Sequence, residues 1–311
     1  MLRQSRHDDG IIWLELTNGC NLTCSHCYSD SGPGTHSRDR LSTDDYLELI
    51  RDAAALGFKR VQFIGGEPLL NKDLPLFIDE AATHGFTAVE LFSNLTFLPS
   101  AAKRAVVQHH VNVSTSIYSA DSSVHDGIVG KKGSLACTLR NVEQLLACNV
   151  SVRAGFVEME RNAGHYAAVE ELLRSRGLSR ISHDAVRAFG RATKRGSDMS
   201  NLCGACAGNT ACVSADGTVY PCVMGRCWPL GSVVTSALSQ ILASATAAGV
   251  RKQISRATQR RLPLQSNCGP QGVCGPTGYN PCGPQGNCGP SGKHCLPDNP
   301  TPNPHTALSA A

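Results

Sequence analysis

The chain has 311 residues, 41% hydrophobic and 17% charged, with 15 cysteines and a formal net charge of +4. These values suit a soluble globular protein of one large or two smaller domains. The charge is small and scattered, with modest clusters at Arg187–Arg195 and Arg251–Arg261 that read as solvated faces, which argues against a nucleic-acid partner. No apolar run reaches the roughly 18 residues of a membrane span. The opening MLRQSRHDDG lacks the apolar segment of a signal peptide, so the expected compartment is the cytoplasm. There, clustered cysteines serve metals or catalysis more often than disulfides.

In chain order, IIWLEL at 11–16 predicts a buried strand, followed by a Gly/Ser/Pro loop to about residue 40. Ser42-Thr43-Asp44-Asp45 reads as a capping box opening a helix that runs to Leu56 and stops at Gly57. Strands are expected at 60–64, 87–92, 111–118, 150–158 and 179–182, and helices at 74–84, 99–108, 134–147 and 163–175. Six β-then-α units of this kind imply a parallel sheet with right-handed crossovers. Such sheets carry their ligands at the carboxyl ends of the strands. The cysteine stretch after strand one, GGEP after strand two and SN after strand three are therefore expected on one rim. After residue 196 the alternation breaks. Residues 201–231 are rich in Cys and Gly, with a hairpin ACVSADGTVYPC turning at Asp216-Gly217 and a helix expected at 234–249. From Pro263 the chain is Cys, Gly, Pro, Asn and Gln without hydrophobic period. The expected boundaries are thus 1–196, 197–262 and 263–311.

Cys20-x3-Cys24-x2-Cys27 is spaced too closely for unstrained disulfides within one loop. Three thiolates can bind zinc with His26 or His36 as a fourth ligand. They can equally hold three irons of a [4Fe–4S] cube and leave one iron open. Spacing alone does not choose.

CNLTCSHCY after a first strand, with GGEPLL after a second, resembles the radical S-adenosylmethionine (SAM) enzymes. That resemblance implies a partial (β/α)6 TIM-like barrel in an α/β chain, in agreement with the six units. It implies that Cys20, Cys24 and Cys27 hold a [4Fe–4S] cluster whose open iron takes SAM, with Tyr28 as the aromatic residue after the last thiolate. Gly65, Gly66, Glu67 and Pro68 would line the methionine moiety, and Ser93 and Asn94 would meet the ribose or carboxylate. Arg153 either faces SAM or pairs with an acidic neighbour. His125-Asp126-Gly127 and Phe189-Gly190-Arg191-Ala192 resemble segments of one subgroup. By physics alone, the first is a turn with an N-cap and Gly190 serves backbone geometry.

Cys203-x2-Cys206, Cys212, Cys222 and Cys227, with ADGTVYPC and PLGSV, resemble the SPASM or twitch extension, which carries auxiliary [4Fe–4S] clusters. Cys203, Cys206 and Cys222 are the favoured ligands, ahead of Cys212 and Cys227, and one auxiliary cluster is expected, with two as the alternative count. A structural zinc ribbon is the alternative. The tail cysteines 268, 274, 282, 288 and 295 depart from the SPASM ending. Cys137 and Cys148 read as structural, and His109-His110 as surface or core.

The resemblance implies an enzyme that cleaves SAM to a 5′-deoxyadenosyl radical and abstracts hydrogen. The leading substrate is a ribosomally made peptide, oxidised or crosslinked. The alternatives are dehydrogenation or epimerisation of an aminocyclitol or sugar, and a non-catalytic iron–sulfur or metal-binding protein. The implied partners are the substrate, a flavodoxin- or ferredoxin-type electron donor and a separate peptide-binding protein. Neither nucleic acid nor membrane is expected.

Overall fold

A computed structural model describes residues 10–193 and 196–258. Six parallel strands, β1 (Ile11–Glu15), β2 (Arg60–Ile64), β3 (Ala88–Phe92), β4 (Asn112–Ser116), β5 (Val152–Glu158) and β6 (Arg180–Ala185), lie side by side in chain order. Their crossovers carry α1 (Thr43–Ala55), α2 (Leu74–Thr83), α3 (Ser100–Gln108), α4 (Ser122–Val129), α5 (Ser134–Leu146) and α6 (Tyr166–Ser175). The expected α/β alternation is the observed one. The capping box is present, with Ser42 Oγ accepting from the Asp45 amide and the Asp45 carboxylate accepting from the Ser42 amide.

Alternation along the strands divides the sheet into two faces. Ile12, Leu14, Val61, Phe63, Val89, Leu91 and Val113 pack with the apolar faces of the helices in the main core. The other face mixes a second apolar cluster, with Ile11, Trp13 and Ile64, and buried polar groups: Glu15, Gln62, Glu90 and Ser114 are all nearly inaccessible. Glu90 and Ser114 are tolerated there because they pair, whereas the Gln62 amide has no protein partner among the described residues. Arg153 Nε and Nη2 lie 2.9 and 2.7 Å from Glu90 Oε1, and Ser114 Oγ donates to the same carboxylate.

This pairing decides between the two readings of Arg153 in favour of an acidic neighbour. Arg153 is the second residue of β5, so it sits at the amino end of the strands, with Ile11, Arg60 and Gln62 around it. The cysteines lie at the opposite end. The segment His125-Asp126-Gly127 is also more than a turn. It belongs to α4, where Asp121 caps by accepting from the Ser123 amide. Asp126 in turn accepts from Ser134 Oγ and the Leu135 amide at 2.7 and 3.0 Å, which ties α4 to the start of α5.

The second half extends the same sheet. Strand β7 (Thr210–Val213) runs parallel to β1 with Trp13 opposite Cys212, then β8 (Thr218–Tyr220) and β9 (Gly231–Ser232) follow antiparallel. The β7–β8 turn is at Asp216-Gly217, where Gly217 takes φ +86°, as the hairpin signal requires. The helix expected at 234–249 is two helices, α7 (Leu238–Ala243) and α8 (Ala245–Thr258), broken at the extended Ser244. A buried ion pair joins the halves: Arg226 Nη1 reaches both oxygens of Glu15 at 2.7 and 2.6 Å. Removing one partner of such a pair leaves a buried charge, so Arg226→Met is expected to destabilise the chain by about 3 kcal/mol in a urea melt. An unchanged midpoint would show that the halves do not depend on this pair. Among the described residues no helix is long and apolar enough to cross a membrane. The tail cysteines 268–295 fall outside the described residues.

Candidate active site

The loop after β1 brings Cys20, Cys24 and Cys27 to one cavity of about 1030 Å³, partly open to solvent, at the carboxyl ends of the strands. Donors point at two of the sulfurs. The Ser31 amide donates to Cys27 Sγ at 3.4 Å, and Asn94 Nδ2 reaches Cys20 Sγ at 3.9 Å. Burial pushes the Cys20 and Cys24 thiols up to about 12, reinforced by Glu67 and Cys27 respectively. Those two thiols ionise at neutral pH against strong positive charge, which is what a metal centre supplies. No disulfide forms among the described cysteines. No three Cys, His, Asp or Glu side chains among the described residues come close enough to share a single metal ion. A four-iron cube instead takes each thiolate on a different iron. Donor chemistry, the shared cavity and the amide-to-sulfur bonds fit that cluster.

The cysteine loop is fastened from the far end of the sheet. The Arg191 amide donates to Cys27 O at 2.9 Å, its Nε to Cys24 O at 2.9 Å and its Nη2 to Ser31 O at 2.7 Å. A Cβ on Gly190 would lie 2.3 Å from Cys27 O, so glycine is required for this approach. Lysine has no fork to span two carbonyls. Arg191→Lys is therefore expected to lower iron bound on reconstitution severalfold while far-ultraviolet circular dichroism stays unchanged. Full iron content would mean the clamp is dispensable.

Gly65, Gly66, Ser93 and Asn94 line the cavity, as does Tyr28. Glu67 and Pro68 do not, which corrects their expected contact with the cofactor. Both are buried beneath the cavity. Glu67 is fully inaccessible and accepts from Ser93 Oγ at 2.7 Å, the Asn94 amide at 2.8 Å and the Leu69 amide at 3.0 Å. It thus ties the loop after β2 to the loop after β3. Burial pushes its carboxyl up to about 7, with the three hydrogen bonds opposing.

A folded pKa of about 7 against an ordinary 4.5 means the native state binds more protons between those values. The stability Glu67 contributes is complete below about 4.5 and is lost as pH rises through about 7. At 1.36 kcal/mol per unit the swing is about 3 kcal/mol. Melts of the iron-free chain between about pH 5 and 8 are expected to show this decline, and Glu67→Gln to flatten it. Equal slopes in the two proteins would rule out Glu67 as the titrating group.

Three cavity residues have no part in the sequence reading as SAM contacts. His26 stacks edge-on against Tyr118 at 4.7 Å, and Tyr118 lies 5.5 Å from His125. All three line the cavity. Burial lowers both histidines to about 4, so this wall is aromatic and uncharged near neutral pH. The place of His26 between two cysteines was the available signal for it; for His125 the signal was the resemblance of His125-Asp126-Gly127 to a subgroup segment, which physics alone read as a turn.

In the second half Cys203, Cys206 and Cys222 lie close together. Cys206 and Cys222 share a hydrogen bond, Cys203 and Cys222 interact electrostatically, and backbone amides of Met224 and Gly225 point at Cys222. Cys212 belongs to the same apolar cluster, but its largest charged neighbours are Glu15 and Arg226. Cys227 is exposed. The structure therefore gathers Cys203, Cys206 and Cys222, with Cys212 in the same apolar cluster and Cys227 exposed. Met224 reaches the main cavity from this loop.

Residues 14–159 match the model of the radical SAM superfamily, and residues 203–270 match that of SPASM, an iron–sulfur cluster-binding domain. The chain belongs to the radical SAM superfamily. Its sheet is the radical SAM fold extended by a SPASM domain. It is 32% identical over 151 residues to GTP 3′,8-cyclase of Psychromonas ingrahamii, covering 48% of this chain and 42% of that one. It is 30% identical over 182 residues to the sporulation killing factor maturation protein SkfB of Bacillus subtilis, covering 58% and 43%. The chain thus spans less than half the length of these relatives. The crystal structure of Streptococcus suis SuiB bound to S-adenosylmethionine shares the fold, with TM-score 0.65 at 12% identity over 78% of this chain and 67% of that one.

Proposed function

We propose that this radical SAM protein reductively cleaves S-adenosylmethionine and uses the resulting radical to oxidise or crosslink a ribosomally made peptide. The observation that carries the reading is one cavity lined at once by Cys20, Cys24 and Cys27, by the Gly65-Gly66 and Ser93-Asn94 loops, and by Met224 from the auxiliary-cysteine loop. The peptide substrate is supported by relatives named as maturation proteins: SkfB, and the mycofactocin maturase MftC of Mycolicibacterium smegmatis, 32% identical over 137 residues.

Cys20, Cys24 and Cys27 would hold the [4Fe–4S] cluster, which when bound supplies the electron that cleaves SAM. Asn94 and the Ser31 amide aim donors at the sulfurs. Gly65 and Gly66 give an uncluttered backbone edge for the methionine part. The His26–Tyr118–His125 wall holds water away from a reactive carbon-centred species. Cys203, Cys206 and Cys222 would hold an auxiliary cluster near the substrate end, which suits net oxidation. A flavodoxin- or ferredoxin-type donor fits the need for single low-potential electrons, and a separate protein would present the peptide. The match to GTP 3′,8-cyclase, confined to about half of the chain, supports a small-molecule substrate as the second reading.

The test is anaerobic turnover of the reconstituted protein with SAM, dithionite and short peptides encoded beside its gene. The expected result is 5′-deoxyadenosine together with a peptide lighter by two hydrogens per modification. Formation of 5′-deoxyadenosine without any change in those peptides would move the reading to a small molecule.

A further inference from the structure

The cavity and the second cysteine group approach each other at Met224 and Arg187, which both line the cavity. Arg187 follows β6 and lines the cavity that also holds Cys20, Cys24 and Cys27. Its Nη2 lies 2.7 Å from Asp184 Oδ2, and both side chains are largely buried. Cys203 and Cys222 are its thiol neighbours. The flanking packing agrees: Phe189, two residues on, lies in one apolar cluster with Cys206 and Cys222. The other arginine at the cavity, Arg191, is committed to the carbonyls of Cys24 and Ser31. The Arg187 guanidinium donates to the short carboxylate of Asp184, which pins it and neutralises part of its charge.

We propose that Arg187 is a positioning charge for the auxiliary centre: lining the cavity beside Met224 of the Cys222 loop, it raises the reduction potential of the iron–sulfur cluster that Cys203, Cys206 and Cys222 hold. This rests on the reading that Cys203, Cys206 and Cys222 bind a cluster. Reduction of such a cluster adds one electron and no proton, so its net charge becomes more negative by one. A fixed cation nearby stabilises the reduced form more than the oxidised one, most strongly where water is excluded. A cluster so tuned suits a one-electron acceptor. In turnover the electron would come from a substrate radical, which also gives a proton to solvent and closes its shell. Asp184 acts in the opposite sense. Its negative charge lowers the potential, while its ion pair holds Arg187 in place.

The measurement is a potentiometric titration with dithionite, followed by electron paramagnetic resonance. It is made on the full-length chain, and again with Cys20, Cys24 and Cys27 replaced by alanine so that the auxiliary cluster titrates alone. If the triple replacement does not fold, SAM added to the full chain separates the signals by perturbing only the cluster that binds it. Arg187→Gln is expected to lower the equilibrium constant for reduction about tenfold, equal to about 59 mV for a one-electron couple. Arg187→Lys should retain most of the potential. Asp184→Asn should shift it upward. The opposite signs are the readout that a merely structural role would not produce. Iron retained in the triple replacement, with the potential unmoved by Arg187→Gln, overturns the role of Arg187 alone. So does a shift of the same sign in Arg187→Gln and Asp184→Asn. A triple replacement that folds but retains no iron overturns the reading of the second cysteine group, and the proposal with it.

Discussion

Replacing Cys20, Cys24 and Cys27 together by alanine is expected to reduce 5′-deoxyadenosine formation to background and to remove about four irons per chain. All three thiols line the cavity. The nearest arginine, Arg191, spends its donors on the carbonyls of Cys24 and Ser31. Each single replacement should approach the triple one, because a cube held by two thiolates has lost both an anchor and a neutralising charge. Cys137→Ala and Cys148→Ala are the controls. Neither residue lines the cavity, and both should keep wild-type iron and SAM cleavage. About four irons should remain in the triple replacement, held by Cys203, Cys206 and Cys222. Wild-type SAM cleavage in any one of the three variants would remove that cysteine from the site.

The alternation of strands and helices was legible because each strand is a short apolar run and each helix carries its own stop. Gly57 and Gly85 both take the left-handed conformation that ends a helix. The addition of β7 to the edge of β1 was not legible. Four residues, TACV, carry no mark of the strand they will join, and their partner lies some 200 positions earlier in the chain. Depth was hidden as well. Arg153 and Val157 point to the same face of β5, yet Val157 lines the cavity and Arg153 lies at the other mouth of the barrel. Period-two alternation gives the face of a residue; its height along the strand follows from register, which side-chain type does not encode. The partners of Glu67 were hidden for a related reason: its three donors come from two loops, and the side-chain type of Glu67 does not encode them.

The same loops carry the second large effect. Gly66→Ala is expected to destabilise the chain by about 3 kcal/mol and to lower iron binding at the first cysteine group severalfold. Gly66 is outside the left-handed region that demands glycine, so its constraint is contact alone. An added Cβ would lie 2.0 Å from Gly19 O and 2.8 Å from Asn18 O, both backbone atoms. Backbone of this kind cannot swing aside as a flexible side chain can. The Gly66 amide donates to Thr17 O at 2.7 Å and the Glu67 amide to Gly19 O at 2.8 Å. Relieving the clash stretches both bonds, each worth about 1 kcal/mol, on top of about 1–3 kcal/mol of overpacking. It also moves Gly19, whose neighbour is Cys20, and lifts Glu67 from its three donors. Stability and cluster assembly should therefore fall together. Gly85→Ala separates this from the ordinary cost of losing a glycine. Gly85 takes φ +77° with open space around its missing Cβ, so alanine there meets only the strain of the left-handed region, about 1–2 kcal/mol. Iron content should be unchanged in Gly85→Ala and reduced in Gly66→Ala. If Gly66→Ala melts with the wild type and binds full iron, the two loops are not held by this contact, and the glycine pair would have to be explained by the ligand alone.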